Sequence, residues 1–340
     1  MRLANYYLNP TLAFTFIIFA ATGYLLSYFL PTAIIMWDIT LVLSAIISLG
    51  ITLKFVHVEK EEQSSSVLQQ ILSLIPYVIF IPSILLFLNS PELQISYHGD
   101  LHASYVNQII HGVGQPDNSY LPGTPATYYW LFHALIAAIS HLFSIPHPLA
   151  SAILNVVILL SLFGWTHRIL KLIISKQYPP IVDSMMVIFV VFGMNLLGSI
   201  QSMIGLWDNF SIWRILQIMA PISISDPRLE TVYAKFINYN SFPLALLYSW
   251  IMIFAALKIV KKQATSFDVS LFILGIAGGT AFLFISGVVM LATLGGAIVA
   301  TWILMQIKGE LVLDSILPDL NQLNRKHMIP IVVSSISLLI

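Results

Sequence analysis

Apolar runs long enough to cross a bilayer recur along the whole chain. A spanning helix needs about 20 apolar residues, and a backbone in lipid must satisfy its hydrogen bonds internally, which favours helices. The sequence therefore predicts an all-α polytopic membrane protein, a helical bundle in a single transmembrane domain over residues 1–340. The predicted spans are 11–30, 33–54, 67–88, 148–167, 181–204, 241–258, 269–287 and 289–307. An apolar run from Met328 to Ile340 predicts the start of another span, in a chain that continues further.

The composition excludes several other classes of protein. With 58% hydrophobic and 9% charged residues, the polar surface that a soluble globule of this size needs is missing. Fifteen basic side chains balance fifteen acidic ones, so there is no excess positive field for nucleic acid, and none is expected as a partner. The lack of cysteine excludes disulfides, thiolate nucleophiles and cysteine-ligated zinc.

Lys and Arg gather on the cytoplasmic side of membrane proteins, which gives an expected orientation. Counting from a cytoplasmic N-terminus puts twelve of these residues inside and only Arg214, Arg228 and Lys235 outside. We therefore expect a multi-pass protein of the plasma membrane, with the first run as an uncleaved anchor rather than a signal peptide.

This count holds only if the apolar stretch Thr124–Phe143 does not cross the bilayer. We expect it to lie along the outer interface or to fold back, with Thr124 as N-cap and Pro125 at the first helical position. Tyr129, His133 and Ser140 would then share one polar stripe. The alternative is a true span accompanied by a re-entrant partner.

Two external segments remain, residues 89–147 and 205–240. The first has six of the nine histidines and neither Lys nor Arg. Within it, Asp100 can cap a surface helix over residues 101–111, with Gly112 as the left-handed terminator. The expected polar side of this helix is Ser104, Asn107, Gln108 and His111, and the expected apolar side is Ala103, Val106, Ile110 and Val113.

Asp100 also stands between two histidines. His98, Asp100 and His102 alternate, so an extended backbone would turn all three to one side, and a partial turn could gather two or three of them around a divalent ion. A pure capping role for Asp100 is the alternative.

The order of these elements resembles the first external loop of the GT-C glycosyltransferases, over about residues 67–205. The resemblance is carried by the acidic motif His98-Gly99-Asp100 soon after a span, the surface helix Ala103–His111, the Gly/Pro-rich stretch 112–125 and the aromatic stretch 126–133. Two departures stand out. His98 replaces the first acid of the paired acids common in that family, and two spans rather than one precede the loop.

The resemblance implies transfer of a hexosyl or pentosyl group from a polyprenyl-phosphate carrier to a lipid, glycan or protein acceptor on the outer face. Asp100 would be the catalytic base. His98 and His102 would orient it, contact the acceptor or hold a divalent cation, Mg or Mn. His111, Tyr129 and His133 would line the cleft. Arg214, Arg228 and Lys235 would bind the carrier phosphate, or else reach lipid headgroups.

A transporter or flippase for a lipid-linked or polar solute is the main alternative, with the histidines as proton or substrate sites. A non-catalytic scaffold would leave the histidine cluster unexplained.

Two further features have a structural interpretation. Gly275 with Gly279, and Ala292 with Gly296, are spaced for close helix packing. Asp38 is expected at headgroup level rather than as an intramembrane proton site.

Overall fold

The computed structural model describes residues 2–29, 33–55, 71, 74, 99–126, 130–174, 178–193 and 241–282. The regular structure of these residues is helical, with no β-sheet and a single isolated bridge between Asp117 and Pro125. The described part of the chain forms eight helices: α1 (Arg2–Phe29), α2 (Ile34–Phe55), α3 (Gly99–Ile110), α4 (Trp130–Leu142), α5 (His147–Ile173), α6 (Pro180–Gly193), α7 (Phe242–Val260) and α8 (Ser266–Phe282).

Among the described residues, four helices are long and apolar enough to cross a membrane: Leu8–Phe29 within α1, then α2, α5 and α7. They correspond to four of the predicted spans, and they make the chain a multi-pass membrane protein. Helices also form at two further predicted spans, where α6 and α8 have 14 and 17 residues within the described part of the chain. The predicted spans 67–88 and 289–307 lie outside the described residues, apart from 71 and 74.

The first two spans pack through small polar side chains. Thr40, Ser44, Ser48 and Thr52 repeat every four residues along α2 and are all buried, so they share the face that meets α1. The hydroxyl of Thr40 donates to the carbonyl of Met36 at 2.7 Å, which satisfies it inside an apolar environment. The opposite face of α2 exposes large aliphatic side chains, as expected for contact with lipid: Ile35, Ile39, Val42, Leu43, Ile46 and Leu53.

Glycines bring α7 and α8 into close contact. A Cβ added to Gly275 would lie 2.7 Å from Met252 Cβ, and one added to Gly278 would lie 2.4 Å from the Tyr248 ring. The predicted packing role of Gly275 is confirmed, although Gly278 rather than Gly279 meets the Tyr248 ring. The Tyr248 hydroxyl donates to the Ala13 carbonyl at 2.7 Å and so joins this hairpin to α1.

The helix α4 is embedded in the bundle. Its 13 residues extend about 20 Å at about 1.5 Å per residue, short of the roughly 30 Å of bilayer hydrocarbon. Nine of the 13 are buried, His133 and Ser140 among them, so neighbouring protein covers most of this helix, and its position along the outer interface or folded back stays a prediction. The short length fits the folded-back alternative.

The predicted start of this helix is wrong. Thr124 is an exposed turn residue whose hydroxyl donates to the Leu121 carbonyl at 2.6 Å, and Pro125 pairs with Asp117 in the isolated bridge. Aromatic contacts instead anchor the beginning of α4, since Trp130 lies 5.7 Å from the Trp37 ring and 6.2 Å from the Tyr24 ring. Trp37 itself fills the notch left by Gly23.

Candidate functional site

The helix α3 is amphipathic, and it places its histidines on different sides. His102, Val106 and Ile109 are buried, at the spacing of one helix face. The predicted polar residues Asn107 and His111 are exposed. Of the expected apolar side, Val106 is buried, whereas Val113 lies beyond the helix and is 38% exposed.

The end of α3 confirms the predicted terminator. Gly112 has φ of 93°, and the amide of Val113 donates to the Gln108 carbonyl at 3.0 Å while that of Gly112 donates to Ile109 at 3.1 Å. These two bonds define a Schellman motif. The predicted beginning is wrong, because the helix already includes Gly99 and puts Asp100 in its first turn, where a carboxylate interacts favourably with the helix dipole.

The helical backbone separates Asp100 from His102. Residues two apart on an α-helix point about 200° apart, and Asp100 is exposed whereas His102 is 3% exposed. The extended arrangement expected for this motif is therefore wrong for these two residues, and His98 lies outside the described residues. Within the described ranges no three His, Cys, Asp or Glu side chains are grouped as metal ligands, and divalent-cation dependence stays a prediction.

His102 instead pairs with His133 of α4. Nδ1 of His102 lies 2.7 Å from Nε2 of His133, and both side chains are buried. The ring centroids are 4.9 Å apart and the planes differ by 11°. That centroid separation is close to the nitrogen–nitrogen distance plus the radii of the two rings, so the imidazoles lie edge to edge in nearly one plane.

This geometry is that of a hydrogen bond between the two imidazoles. A zinc ion bound at about 2.0–2.1 Å by each of two histidines would hold the two nitrogens roughly 3.3 Å apart in a tetrahedral site, and the observed 2.7 Å is a hydrogen-bond distance. One of the two nitrogens must carry the hydrogen and the other must accept it. The pair thus joins α3 to the embedded helix α4.

Tyr105 adds an aromatic contact to this pair. Its ring meets that of His133 edge to face at 5.4 Å. Burial is the main cause that raises the pKa of the Tyr105 hydroxyl above its ordinary value near 10, and the neighbouring Tyr120 adds a smaller electrostatic contribution. The phenol therefore stays protonated and neutral at physiological pH.

The solvent side of α3 faces an open depression of about 600 Å³, lined by Asp100, Ala103, Ser104, Asn107, Gln108, His111 and Val113. The following loop is fastened to this helix by side chains. Ser104 Oγ lies 2.8 Å from Ser119 Oγ, and Gln108 Oε1 accepts from the Asp117 amide at 2.7 Å.

The predicted site residues thus divide into two groups. Asp100 and His111 lie on the open side of α3, whereas His102 and His133 lie behind it. His98, Tyr129, Arg214, Arg228 and Lys235 fall outside the described residues.

A carboxylate–imidazole pair was missed by sequence reasoning. Nδ1 of His141, in the last turn of α4, lies 2.6 Å from Oδ2 of Asp38 in α2, and their side chains are 44% and 14% exposed. The headgroup-level interpretation of Asp38 omitted this partner, which is 103 residues away in sequence. The only signal available was that both residues fall near the same predicted membrane face.

Neither a model of a known protein family, nor a curated protein, nor a solved structure matches the chain.

Proposed function

We propose that the protein is a glycosyltransferase of the GT-C type, which transfers a sugar from a polyprenyl-phosphate carrier to an acceptor on the outer face of the membrane. One observation carries the proposal. A surface helix presents the carboxylate of Asp100 to an open depression and is fastened through His102 and His133 to an embedded helix too short to cross a bilayer. The resemblance seen in the sequence implies this pairing of elements.

Asp100 is the proposed catalytic base. Sugar transfer from a phosphate leaving group passes through an oxocarbenium-like state, and the acceptor hydroxyl must lose its proton as it attacks. An exposed carboxylate beside a depression large enough for a sugar can accept that proton. His111 is the second titratable residue that lines the depression, and it would contact the bound acceptor.

The carrier phosphate requires cationic partners elsewhere. Segment 89–147 has no Lys or Arg, so Arg214, Arg228 and Lys235 remain the proposed phosphate contacts. His98 and Tyr129 remain proposed substrate contacts on the same grounds of resemblance. A Mg²⁺ or Mn²⁺ ion would be held by Asp100 and His98, because His102 is directed into the protein.

Transfer from radiolabelled polyprenyl-phosphate sugars, in membranes containing the full-length protein, tests the proposal. Asp100→Asn should reduce transfer by about 10²-fold or more, the usual contribution of a general base. Asp117→Asn is the matched control, since Asp117 is a second exposed carboxylate of the same segment. Transfer that Asp100→Asn leaves unchanged would refute the assigned role, and sensitivity to a chelator would make Asp100 a metal ligand.

A transporter or flippase is the second candidate, favoured by the buried His102–His133 pair. Two imidazoles joined by a hydrogen bond in a protein interior can pass a proton between them, which suits proton coupling. Uptake of a lipid-linked or polar solute into proteoliposomes, driven by a pH gradient and lost in His133→Gln, would support this function. Absence of transfer across a full set of sugar donors, together with such uptake, would replace the glycosyltransferase proposal.

A further inference from the structure

The solvent side of α3 combines hydrogen-bonding side chains with the apolar Ala103 and Val113. Ser104, Asn107, Gln108 and His111 line the depression with hydroxyl, amide and imidazole groups, and Asp100 is the one carboxylate among its lining residues. Such groups donate and accept hydrogen bonds in several directions. A ligand rich in hydroxyl groups, each both donor and acceptor, is the chemical complement of this face.

The charge of the segment selects against anionic ligands. Residues 89–147 have no Lys or Arg, and both Asp100 and the nearby Asp117 are exposed. This segment itself offers a phosphate or carboxylate no permanent cationic partner, and its two exposed carboxylates would repel either anion. The same argument separates this face from the phosphate of any lipid carrier.

An aromatic ring stands beside the polar face. Tyr120 is 73% exposed, although an aromatic ring gains much from burial. Its loop is held against α3 by the Ser104–Ser119 contact, and its amide donates to Asn118 Oδ1 at 3.0 Å. These contacts hold the backbone at Tyr120 against α3, and the exposed ring offers a flat apolar surface on which the C–H face of a sugar can stack.

The dimensions allow more than one sugar ring. From Asp100 to His111 the helix rises about 16 Å, and the depression of about 600 Å³ lies within the roughly 300–1,000 Å³ of small-molecule sites.

We propose that the solvent side of α3, together with Tyr120, binds an uncharged, hydroxyl-rich glycan. Asn107 and His111 form hydrogen bonds to its hydroxyl groups, Gln108 keeps the adjoining loop in place, and Tyr120 stacks on a sugar ring. The identification of this glycan as the acceptor rests on the proposed transferase function. Glycan binding itself does not rest on that function, because no donor takes part in the binding.

Binding is measured with the full-length protein in nanodiscs, without any donor. A panel of neutral oligosaccharides of two to six hexoses is titrated alongside counterparts in which the sugars are uronic acids. The best neutral oligosaccharide should bind at least tenfold more tightly than its carboxylated counterpart. Tyr120→Ala should weaken that binding about tenfold, whereas Leu121→Ala, which truncates the equally exposed neighbour, should leave it unchanged.

Three outcomes would overturn this inference. They are the absence of binding by every neutral oligosaccharide, equal or tighter binding of the carboxylated forms, and equal effects of the Tyr120 and Leu121 variants. In the last case, the two exposed side chains act alike, and the loop would be assigned to the lipid surface rather than to a glycan. Glycan binding without transfer would refute the transferase alone, and transfer without glycan binding would refute this inference alone.

Discussion

The histidine pair between α3 and α4 makes a quantitative prediction. His102→Leu or His133→Leu removes one partner of a buried 2.7 Å hydrogen bond and leaves the other imidazole without that bond. A buried polar group that loses its partner costs about 1–3 kcal/mol, whereas replacing both partners by apolar groups of similar shape can be nearly neutral. We therefore expect each single substitution to lower the free energy of unfolding by about 1–3 kcal/mol.

The double substitution should cost clearly less than the two single ones together. We expect a coupling energy of about 1 kcal/mol or more, against the roughly 0.3–0.5 kcal/mol within which independent sites add. Chemical unfolding of the four proteins in detergent provides the measurement. Single effects that simply add would refute the shared hydrogen bond, even if each variant were destabilised.

A second assay separates local from global loss. The chain has no cysteine, and Val106 is fully buried on α3, so a Val106→Cys probe reports when this helix leaves α4. Thiol labelling should accelerate in the His133→Leu background. A cysteine in place of Ser249 on α7, a helix remote from the pair in sequence, should be labelled at an unchanged rate.

Two further predictions concern packing and pH. Gly275→Ala should destabilise the α7–α8 hairpin by about 1–3 kcal/mol through overpacking, since the added Cβ would lie 2.9 Å from Met252 backbone atoms. The control Gly50→Ala, where nothing lies within 4 Å of the added Cβ, should be neutral or should raise the melting temperature through helix propensity. Equal shifts in the melting temperature of the two variants would contradict the close packing. Because burial raises the pKa of Tyr105 in the folded protein, the unfolded chain ionises first, so this residue's contribution to stability is lost as pH rises above about 10. Tyr105→Phe should therefore reduce the loss of melting temperature between about pH 8 and pH 11, and an undiminished loss would exclude Tyr105 as its source.

The helices of the bundle were predictable because lipid leaves the backbone few alternatives. Apolar length alone located α1, α2, α5 and α7, since a chain in hydrocarbon must satisfy its hydrogen bonds internally. Counting Lys and Arg also indicated that the stretch around α4 does not cross. The burial of α4 was not predictable in this way, because its apolar residues fit a lipid-facing, an interfacial or a protein-buried helix equally well.

The local conformation around Asp100 was harder to predict. The alternation of His98, Asp100 and His102 suits an extended strand, and a helix that begins at Leu101 suits Asp100 as its N-cap. The helix that includes Gly99 is stabilised by the burial of Val106 and Ile109, which depends on what lies behind it. The partners of His102 and Asp38 are 31 and 103 residues away, and no local pattern in one sequence indicates such contacts.

His102 and His111 lie on opposite sides of α3, so substitutions of the two residues have different expected effects. His102 and His111 are nine residues apart, which places them half a turn apart on the helix, one buried against α4 and the other lining the depression. Substitution of His102 should therefore act through stability and affect any function in proportion to the loss of folded protein. Substitution of His111 should leave stability within about 0.5 kcal/mol, as for most surface changes, so a change in binding or transfer there reports on the site itself.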